Sequence, residues 1–213
     1  MATQTTQMKR FYDNYQRVQN LLTIYGKLKE ESADKPTIKF DEDVRLTDLL
    51  RASVVFLHGS EEDYIRTTLS NLFLSRADEK ELASIALLDT SGRAEKFSFA
   101  QLSHFADYNV GELIAESINE TLSKTSFNSY SEIHAWMRKI GVKLDSFSRQ
   151  KQIDELIKRR HKIVHEVDQV TYGNDMRTRV STIEVKTVRV WCSAVKEMLE
   201  LIDSQICSQA NHE

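Results

Sequence analysis

The sequence predicts an all-α fold, a single helical bundle, and three properties of the chain support that prediction. Turn-forming residues are scarce, with one proline and six glycines in 213 residues, whereas β-sandwiches and barrels need a turn about every 8–12 residues. Apolar residues recur at steps of three and four, the spacing of one helix face. The apolar content of 40% is enough for a core. We expect one domain over 1–213, with its core at about 8–207 and a disordered tail at 208–213.

The N-terminal part of the chain should contain two long helices. The first should span about 8–31, and a loop at 32–45 should follow it. The second should span about 47–75, with Thr47 or Asp48 as its N-cap. Apolar residues cover more than one face of this second helix, so it should lie centrally with neighbours on several sides.

Shorter helices and one long helix should make up the rest. Gly141 is placed to end one of these helices as its C′ residue, Ser146 or Ser148 can cap the next, and 171–175 should be a turn. The predicted segments are a helix at 77–89, a loop at 90–97, one or two helices at 98–122 with a break near 107–111, a helix at 129–140, a helix from about 149 to 168 and a final helix at 180–207.

Charge and cysteine usage exclude several classes of protein. The formal net charge is −3, from 29 Lys and Arg against 32 Asp and Glu, so a global basic field for duplex nucleic acid is absent. Cys192 and Cys207 have neither a CxxC nor a metal-ligand spacing, which fits a reducing cytoplasm. The N-terminus lacks the apolar stretch of a secretory signal, and no apolar run approaches the roughly 18 residues of a membrane span. We therefore expect a cytoplasmic protein without a membrane contact.

One dense basic patch lies in the predicted helix at 149–168. Within 149–162 its basic residues are Arg149, Lys151, Lys158, Arg159, Arg160 and Lys162. A solvated helix face is the simple interpretation of such a run. At 100° per residue, however, Arg160 falls inside the apolar stripe of this helix, and His161 and His165 fall on its flank. That stripe consists of Ile153, Leu156, Ile157, Val164 and Val167.

A guanidinium that faces a core is costly to desolvate, so Arg160 needs either an acidic partner or a bend in its helix. Two glutamates of the second long helix, Glu61 and Glu62, lie among apolar residues and are the candidate partners. An ion pair between Arg160 and one of them would neutralise two charged side chains that the pattern places on apolar faces. The pattern leaves open which glutamate it is.

The run RRHKIVH at 159–165 resembles the Arg-x4–6-His signature of HEPN domains. The stretch at 49–69 resembles the second helix of HEPN proteins of the RiboL-PSP and related groups, in which an apolar run ends in a Glu-Asp-Tyr-like step. The stretches IVHEVDQV and VRVWCSAV are also similar to that group. The similarity covers the chain from about 10 to 205.

The resemblance implies a four-helix core with short extra helices, often in a homodimer whose motif helices face each other across a basic cleft. It implies an endoribonuclease that needs neither metal nor cofactor, acting in phage defence, a toxin–antitoxin system or a stress response, with an antitoxin or defence protein as a further partner. By position, Arg160 and His165 are the catalytic pair, His161 is the polar residue beside the arginine, and Glu62 is the acid that holds it.

These residue types suit RNA cleavage. The 2′-OH of RNA is an internal nucleophile, and a histidine with a pKa near 6.5 can accept or donate its proton near neutral pH. Arginine stays charged and stabilises the charge that builds on the phosphorus centre. We therefore expect 2′,3′-cyclic phosphate and 5′-OH ends, and unpaired RNA as the substrate because its backbone can reach the in-line geometry.

Each assignment has a structural alternative. Lys158, Arg159 and Lys162 face phosphates if RNA binds, and are otherwise an exposed face. His161 and His165 are spaced to share a metal, but their basic neighbours disfavour one, so no metal is expected.

His58 is interpreted as a core histidine. Val167 and Asp168 stand where some HEPN toxins carry a tyrosine that an antitoxin modifies, which disfavours that modification here. The alternative function is a catalytically inactive helical module that binds a partner protein, a nucleotide or RNA.

Overall fold

The computed structural model describes residues 4–33, 40–90, 97–172 and 177–210. Within these ranges the chain forms eight helices and one two-stranded hairpin, so the predicted all-α class is confirmed. The helices are α1 (Thr6–Ala33), α2 (Phe40–Arg76), α3 (Glu79–Leu82), α4 (Phe99–Ser103), α5 (Val110–Lys124), α6 (Tyr130–Lys139), α7 (Gln150–His165) and α8 (Val185–Ala210). The strands β1 (Gln169–Tyr172) and β2 (Arg177–Val180) pair antiparallel, with Gln169 opposite Val180.

Helix α2 occupies the centre of the bundle, as its apolar density predicts. It packs against α1, α5, α6, α7 and α8. Its fully buried apolar side chains are Leu50, Val54, Leu57, Tyr64, Ile65, Leu69 and Phe73. The prediction of its start was wrong: α2 begins at Phe40, so Thr47 and Asp48 lie inside the helix. There both side chains accept hydrogen bonds from Arg51 Nη1, at 2.7 Å and 3.2 Å.

The remaining helices agree with the prediction except at their ends and in the third helix, which was predicted at 77–89 and spans only Glu79–Leu82. The third helix is a single turn, and the break predicted near 107–111 separates α4 from α5. Both helices begin with a capping box, at Ser98 and Asn109. Residues 34–39 of the first predicted loop and 91–96 of the second lie outside the described residues.

Helix α6 ends in a Schellman motif at Gly141. The φ angle of Gly141 is +76°. Its N–H donates to the carbonyl of Arg138 at 3.0 Å, and the N–H of Val142 donates to that of Met137 at 3.0 Å. The role predicted for this glycine is confirmed.

Helices α7 and α8 differ from the prediction at their ends. Among the described residues no side chain caps α7, so neither Ser146 nor Ser148 has the predicted role. The helix ends at His165, before the predicted 168, because the chain turns there into the hairpin. Helix α8 starts late for the same reason and continues through residues 208–210 of the predicted tail, while 211–213 lie outside the described residues.

The buried apolar side chains of the described residues form one cluster that draws on α1, α2, α5, α6, α7 and α8. None of the described helices combines the length and the apolar character needed to cross a membrane.

Candidate active site

Helix α7 presents its basic run on two opposite faces. The face that carries Arg160 also buries Ile153, Leu156 and Ile157, one to two turns earlier in the helix, against the core. Arg160 and His161 line a polar pocket on one side, whereas Lys158 and Lys162 line a groove on the other. Residues two apart on an α-helix point about 200° apart, which explains the division.

The polar pocket has a volume of about 260 Å³ and lies between α2, α7 and the segment 123–128, which includes the end of α5. Its titratable lining is His58, Glu62, Arg66, Lys124, Arg160 and His161. Arg66 is paired with Glu62 and Lys124 with Glu120, so among the described residues the charge of Arg160 is the one that no carboxylate neutralises, and the pocket keeps an excess of positive charge. Such a lining is suited to a phosphate group.

Arg66 holds the wall of this pocket. Its guanidinium donates to Glu62 Oε1 from Nη2 at 2.6 Å and from Nε at 3.2 Å. It also donates to the backbone carbonyls of Thr125, at 2.6 Å, and Leu122, and lies 5.0 Å from the centre of the Phe127 ring. Arg66 therefore ties α2 to the chain that follows α5.

Arg160 does not form the predicted ion pair. The carboxylate of Glu62 is occupied by Arg66, its neighbour one turn along α2. Arg160 is half-buried and makes no hydrogen bond or ion pair with the part of the chain that the structure describes. Because α7 ends at His165, the apolar stripe ends early, and Val164 is 45% exposed. Arg160 thus lies at the edge of the core, in the pocket, with its donors available to a ligand.

Glu61 is not the partner of Arg160 either. Its side chain is buried, and neither carboxylate oxygen has a hydrogen-bond partner in the described chain. Burial, followed by the negative charge of Glu62, raises the pKa of Glu61 to about 8. The group is therefore mostly protonated and neutral at pH 7.

His58 is buried, as expected for a core histidine, but its ring also lines the pocket. Its Nδ1 lies 3.8 Å from Glu62 Oε2 and has no hydrogen-bond partner among the described residues. Burial lowers the pKa of His58 to about 4; the carboxylate of Glu62 opposes the shift, and the charge of Arg160 adds to it. His58 is therefore a neutral imidazole at pH 7.

His161 and His165 form a tilted ring pair on one edge of α7, with 43° between the ring planes. Their ring centres are 4.6 Å apart. His161 lines the pocket, while His165 is the exposed last residue of the helix and does not. His161 therefore lies between the pocket and His165. Across the described ranges, no three His, Cys, Asp or Glu side chains meet in a group that could hold a metal ion.

The three residues assigned to phosphate contact lie away from the polar pocket. Lys158, Arg159 and Lys162 line the groove between α7 and the start of α8, with Trp191 in its wall. Arg159 is held internally, since its Nη2 donates to Asp168 Oδ2 at 2.7 Å and to the carbonyl of Thr182 at 3.0 Å. The structure thus gives Arg159 a scaffolding contact that the basic pattern did not predict.

Several pocket residues were missed by the sequence reasoning. The spacing of Glu62 and Arg66, at i and i+4, was a usable signal for their ion pair. Lys124 and Asn128 carry no such signal, because their place in the pocket depends on the path of the chain between α5 and α6.

Comparison with known proteins agrees with the family resemblance of the motifs. The family model described as RiboL-PSP-HEPN matches residues 12–208. Searches of curated proteins and of solved structures gave no match. The matched residues include all of α2 and α7, the two helices that supply most of the polar pocket. The chain therefore belongs to the RiboL-PSP-HEPN family.

Proposed function

We propose that the protein is an endoribonuclease that cleaves unpaired RNA by attack of the 2′-OH on the adjacent phosphate. The observation that carries the proposal is Arg160, whose guanidinium lines a cationic pocket without a partner in the described chain. An arginine with only a solvating role would lie on an exposed face of the helix and not in this pocket. In this pocket the guanidinium can bind two phosphate oxygens in a fork.

In the proposed reaction, His165 accepts the 2′-OH proton and the 2′ oxygen forms a bond to phosphorus. The bond between phosphorus and O5′ breaks, and the proton that His165 accepted is returned through water to the leaving oxygen. Arg160 stabilises the charge on the phosphorane. The products are a 2′,3′-cyclic phosphate and a 5′-OH, and no metal is needed. His161 is adjacent to both residues and contacts the RNA.

Glu62 has a supporting role that differs from the one the motif implies. Its carboxylate neutralises Arg66 and lies near His58, so it shapes the pocket wall. Because Glu62 pairs with Arg66 and not with Arg160, the positive charge of Arg160 is available to a phosphate group. Lys158 and Lys162 are proposed to bind RNA outside the cleavage site, along the groove beside α8.

The proposed working unit is a homodimer in which each chain, as a single domain, contributes α7 to one composite cleft. The support is the position of His165, which is exposed at the end of α7 rather than in its own chain's pocket. A second copy would enclose it and raise the local density of cations. A cytoplasmic role in phage defence, a toxin–antitoxin pair or a stress response completes the proposal.

The first prediction tests catalysis directly. The variants Arg160→Ala and His165→Ala should each lower the cleavage rate of a fluorescent single-stranded RNA at least about 100-fold, the scale of losing one acid–base or charge-stabilising group. His104→Ala, which removes an exposed histidine from a distant part of the chain, is the matched control and should leave the rate unchanged. Mass spectrometry of the ends should find cyclic phosphate. Retained cleavage in both variants, or activity that EDTA abolishes and magnesium restores, would contradict the proposal.

A second candidate is an inactive module that binds a partner protein, and one observation favours it. Helix α4 buries none of its residues. Phe99 in α4 is 92% exposed, and Val110 at the start of α5 is 75% exposed. Exposed apolar side chains support this candidate where they form one contiguous patch, which is typical of a docking surface. Harmless expression of both wild type and His165→Ala in a bacterial host, with no cleavage by the purified protein, would favour this candidate.

A further inference from the structure

A buried carboxylate holds the turn that follows α7. Asp168 is 1% exposed, and its Oδ2 accepts hydrogen bonds from Arg51 Nε at 2.8 Å and Arg159 Nη2 at 2.7 Å. Arg51 belongs to α2 and Arg159 to α7, so one oxygen atom joins the two helices of the pocket. We call Arg51, Arg159 and Asp168 the Asp168 cluster. Charge-assisted hydrogen bonds of this kind are the stronger ones in proteins.

Backbone hydrogen bonds close the same turn. The N–H groups of Glu166 and Asp168 both donate to the carbonyl of Lys162, at 2.9 Å and 3.0 Å. The carbonyl of Asp168 accepts from the N–H of Ser181 at 2.7 Å. The last turn of α7 is therefore tied to the chain that leads into α8.

The turn is also strained. Val167 and Asp168 have φ angles of +52° and +53°, in the left-handed region that side chains with a Cβ rarely adopt. Val167 is β-branched and 71% exposed, so little packing offsets its strain. Asp168 Oδ1 and Arg159 Nε are buried without a hydrogen-bond partner in the described chain. Costs of this kind persist where the surroundings fix a conformation, and they concentrate at functional sites.

This strained turn begins directly after His165, the residue to which the proposed function gives the proton transfer. An exposed side chain at a free helix end would sample many positions, whereas proton transfer requires it within hydrogen-bond reach of the 2′-OH. We propose that the Asp168 cluster and the turn at Val167 position His165 for catalysis. Asp168 and Val167 are positioning residues that do not touch RNA. The inference rests on the proposed function.

The test is Val167→Gly, because glycine adopts a φ near +52° without the penalty of a Cβ. The variant should keep or raise the melting temperature and yet lower kcat about tenfold, with KM changed less than about twofold, because a looser helix end misplaces the imidazole. If the turn had only a structural role, kcat would change only together with the melting temperature. Amide hydrogen exchange at Glu166 and Asp168 should become faster in the same variant.

The matched control is Asp89→Gly. Asp89 is an exposed residue with a φ of +57°, in the loop before α4. The Asp89→Gly variant relieves the same kind of backbone strain at a site away from α7, so its kcat should stay at the wild-type value. A second variant, Asp168→Asn, keeps the side-chain shape and removes the charge; at a temperature where the variant is still fully folded, it should lower kcat with KM changed less than about twofold.

The outcomes separate this inference from the proposed function. If His165→Ala abolishes cleavage while Val167→Gly keeps the wild-type kcat, the positioning role is wrong and the ribonuclease proposal stands. If the wild-type protein cleaves no RNA, the proposed function fails and the positioning role fails with it. Unchanged amide exchange in Val167→Gly would also overturn the inference.

Discussion

Glu61 and His58, one helical turn apart on α2, are buried titratable side chains whose pKa values shift in opposite directions. Burial raises the pKa of Glu61 to about 8 from 4.5, and burial lowers that of His58 to about 4 from 6.5. Both groups are neutral in the folded protein at pH 7. Each loses its burial penalty on unfolding, when Glu61 releases a proton and His58 returns to its ordinary pKa.

The pH dependence of stability follows from these shifts. Glu61 contributes most stability below pH 4.5 and loses it as the pH rises to about 8, whereas His58 destabilises the fold as the pH falls from 6.5 to about 4. Between pH 4.5 and 6.5 the two slopes cancel. Between pH 6.5 and 8 the free energy of unfolding should fall by up to about 1.4 kcal/mol per pH unit.

Glu61→Gln should remove that alkaline decrease, because an amide does not titrate. Urea unfolding of the variant at pH 6.5, 7.2 and 8 measures the slope directly. Glu31→Gln, at an exposed position of α1, is the control and should keep the wild-type slope. An unchanged slope in Glu61→Gln would show that this carboxyl does not cause the decrease.

At the scale of elements, the positions of the helices follow from the sequence better than their ends do. Periodicity located α1, α2, α5, α6 and α8, since each has one or more apolar faces that the core needs. The short hairpin was missed because strands of four residues show too little alternation to compete with a helical pattern. It moved the end of α7 and the start of α8.

Replacing either of two glycines by alanine should change the free energy of unfolding, but in opposite directions, because Gly141 ends α6 and Gly26 lies inside α1. In Gly141→Ala the new Cβ meets no atom within 4 Å, so its cost comes from the φ of +76° alone and should be about 1–2 kcal/mol. Gly26→Ala, in the interior of α1, also meets nothing within 4 Å and should stabilise the protein by about 0.4–1 kcal/mol. Urea unfolding of both variants measures these changes. A shift of the same sign in both would contradict the left-handed explanation.

At the scale of the whole molecule, the sequence located the candidate site but could not assign its contacts. The motif identified Arg160 and His161, and both line the pocket. Helical angles placed Glu62 toward the same region, but the prediction paired it with Arg160 and did not use the i, i+4 spacing that favours Arg66. The partner of a charged residue depends on competition among neighbours, and most of those neighbours come from other parts of the chain.

The proposed composite cleft of a homodimer gives a prediction about mixed dimers. Arg160→Ala and His165→Ala, each inactive alone, should recover up to about a quarter of the wild-type rate when mixed in equal amounts and allowed to exchange subunits, because a mixed dimer keeps one intact pair across a two-fold interface. A fluorescent RNA substrate reports the rate, and sedimentation reports the exchange. No recovery after full exchange would mean that both residues act from one chain.

The two faces of α7 have a consequence for how relatives of this chain are aligned. Arg159 and Arg160 both satisfy the Arg-x4–6-His spacing to His165, so the letters of the motif fit in two registers. Arg159 is bound to Asp168 inside the scaffold, and Arg160 lines the pocket. An alignment that matched another protein's motif arginine to Arg159 would equate a scaffold residue with a site residue. In this chain Asp168, three positions after His165, binds Arg159 and so leaves Arg160 as the arginine that faces the pocket.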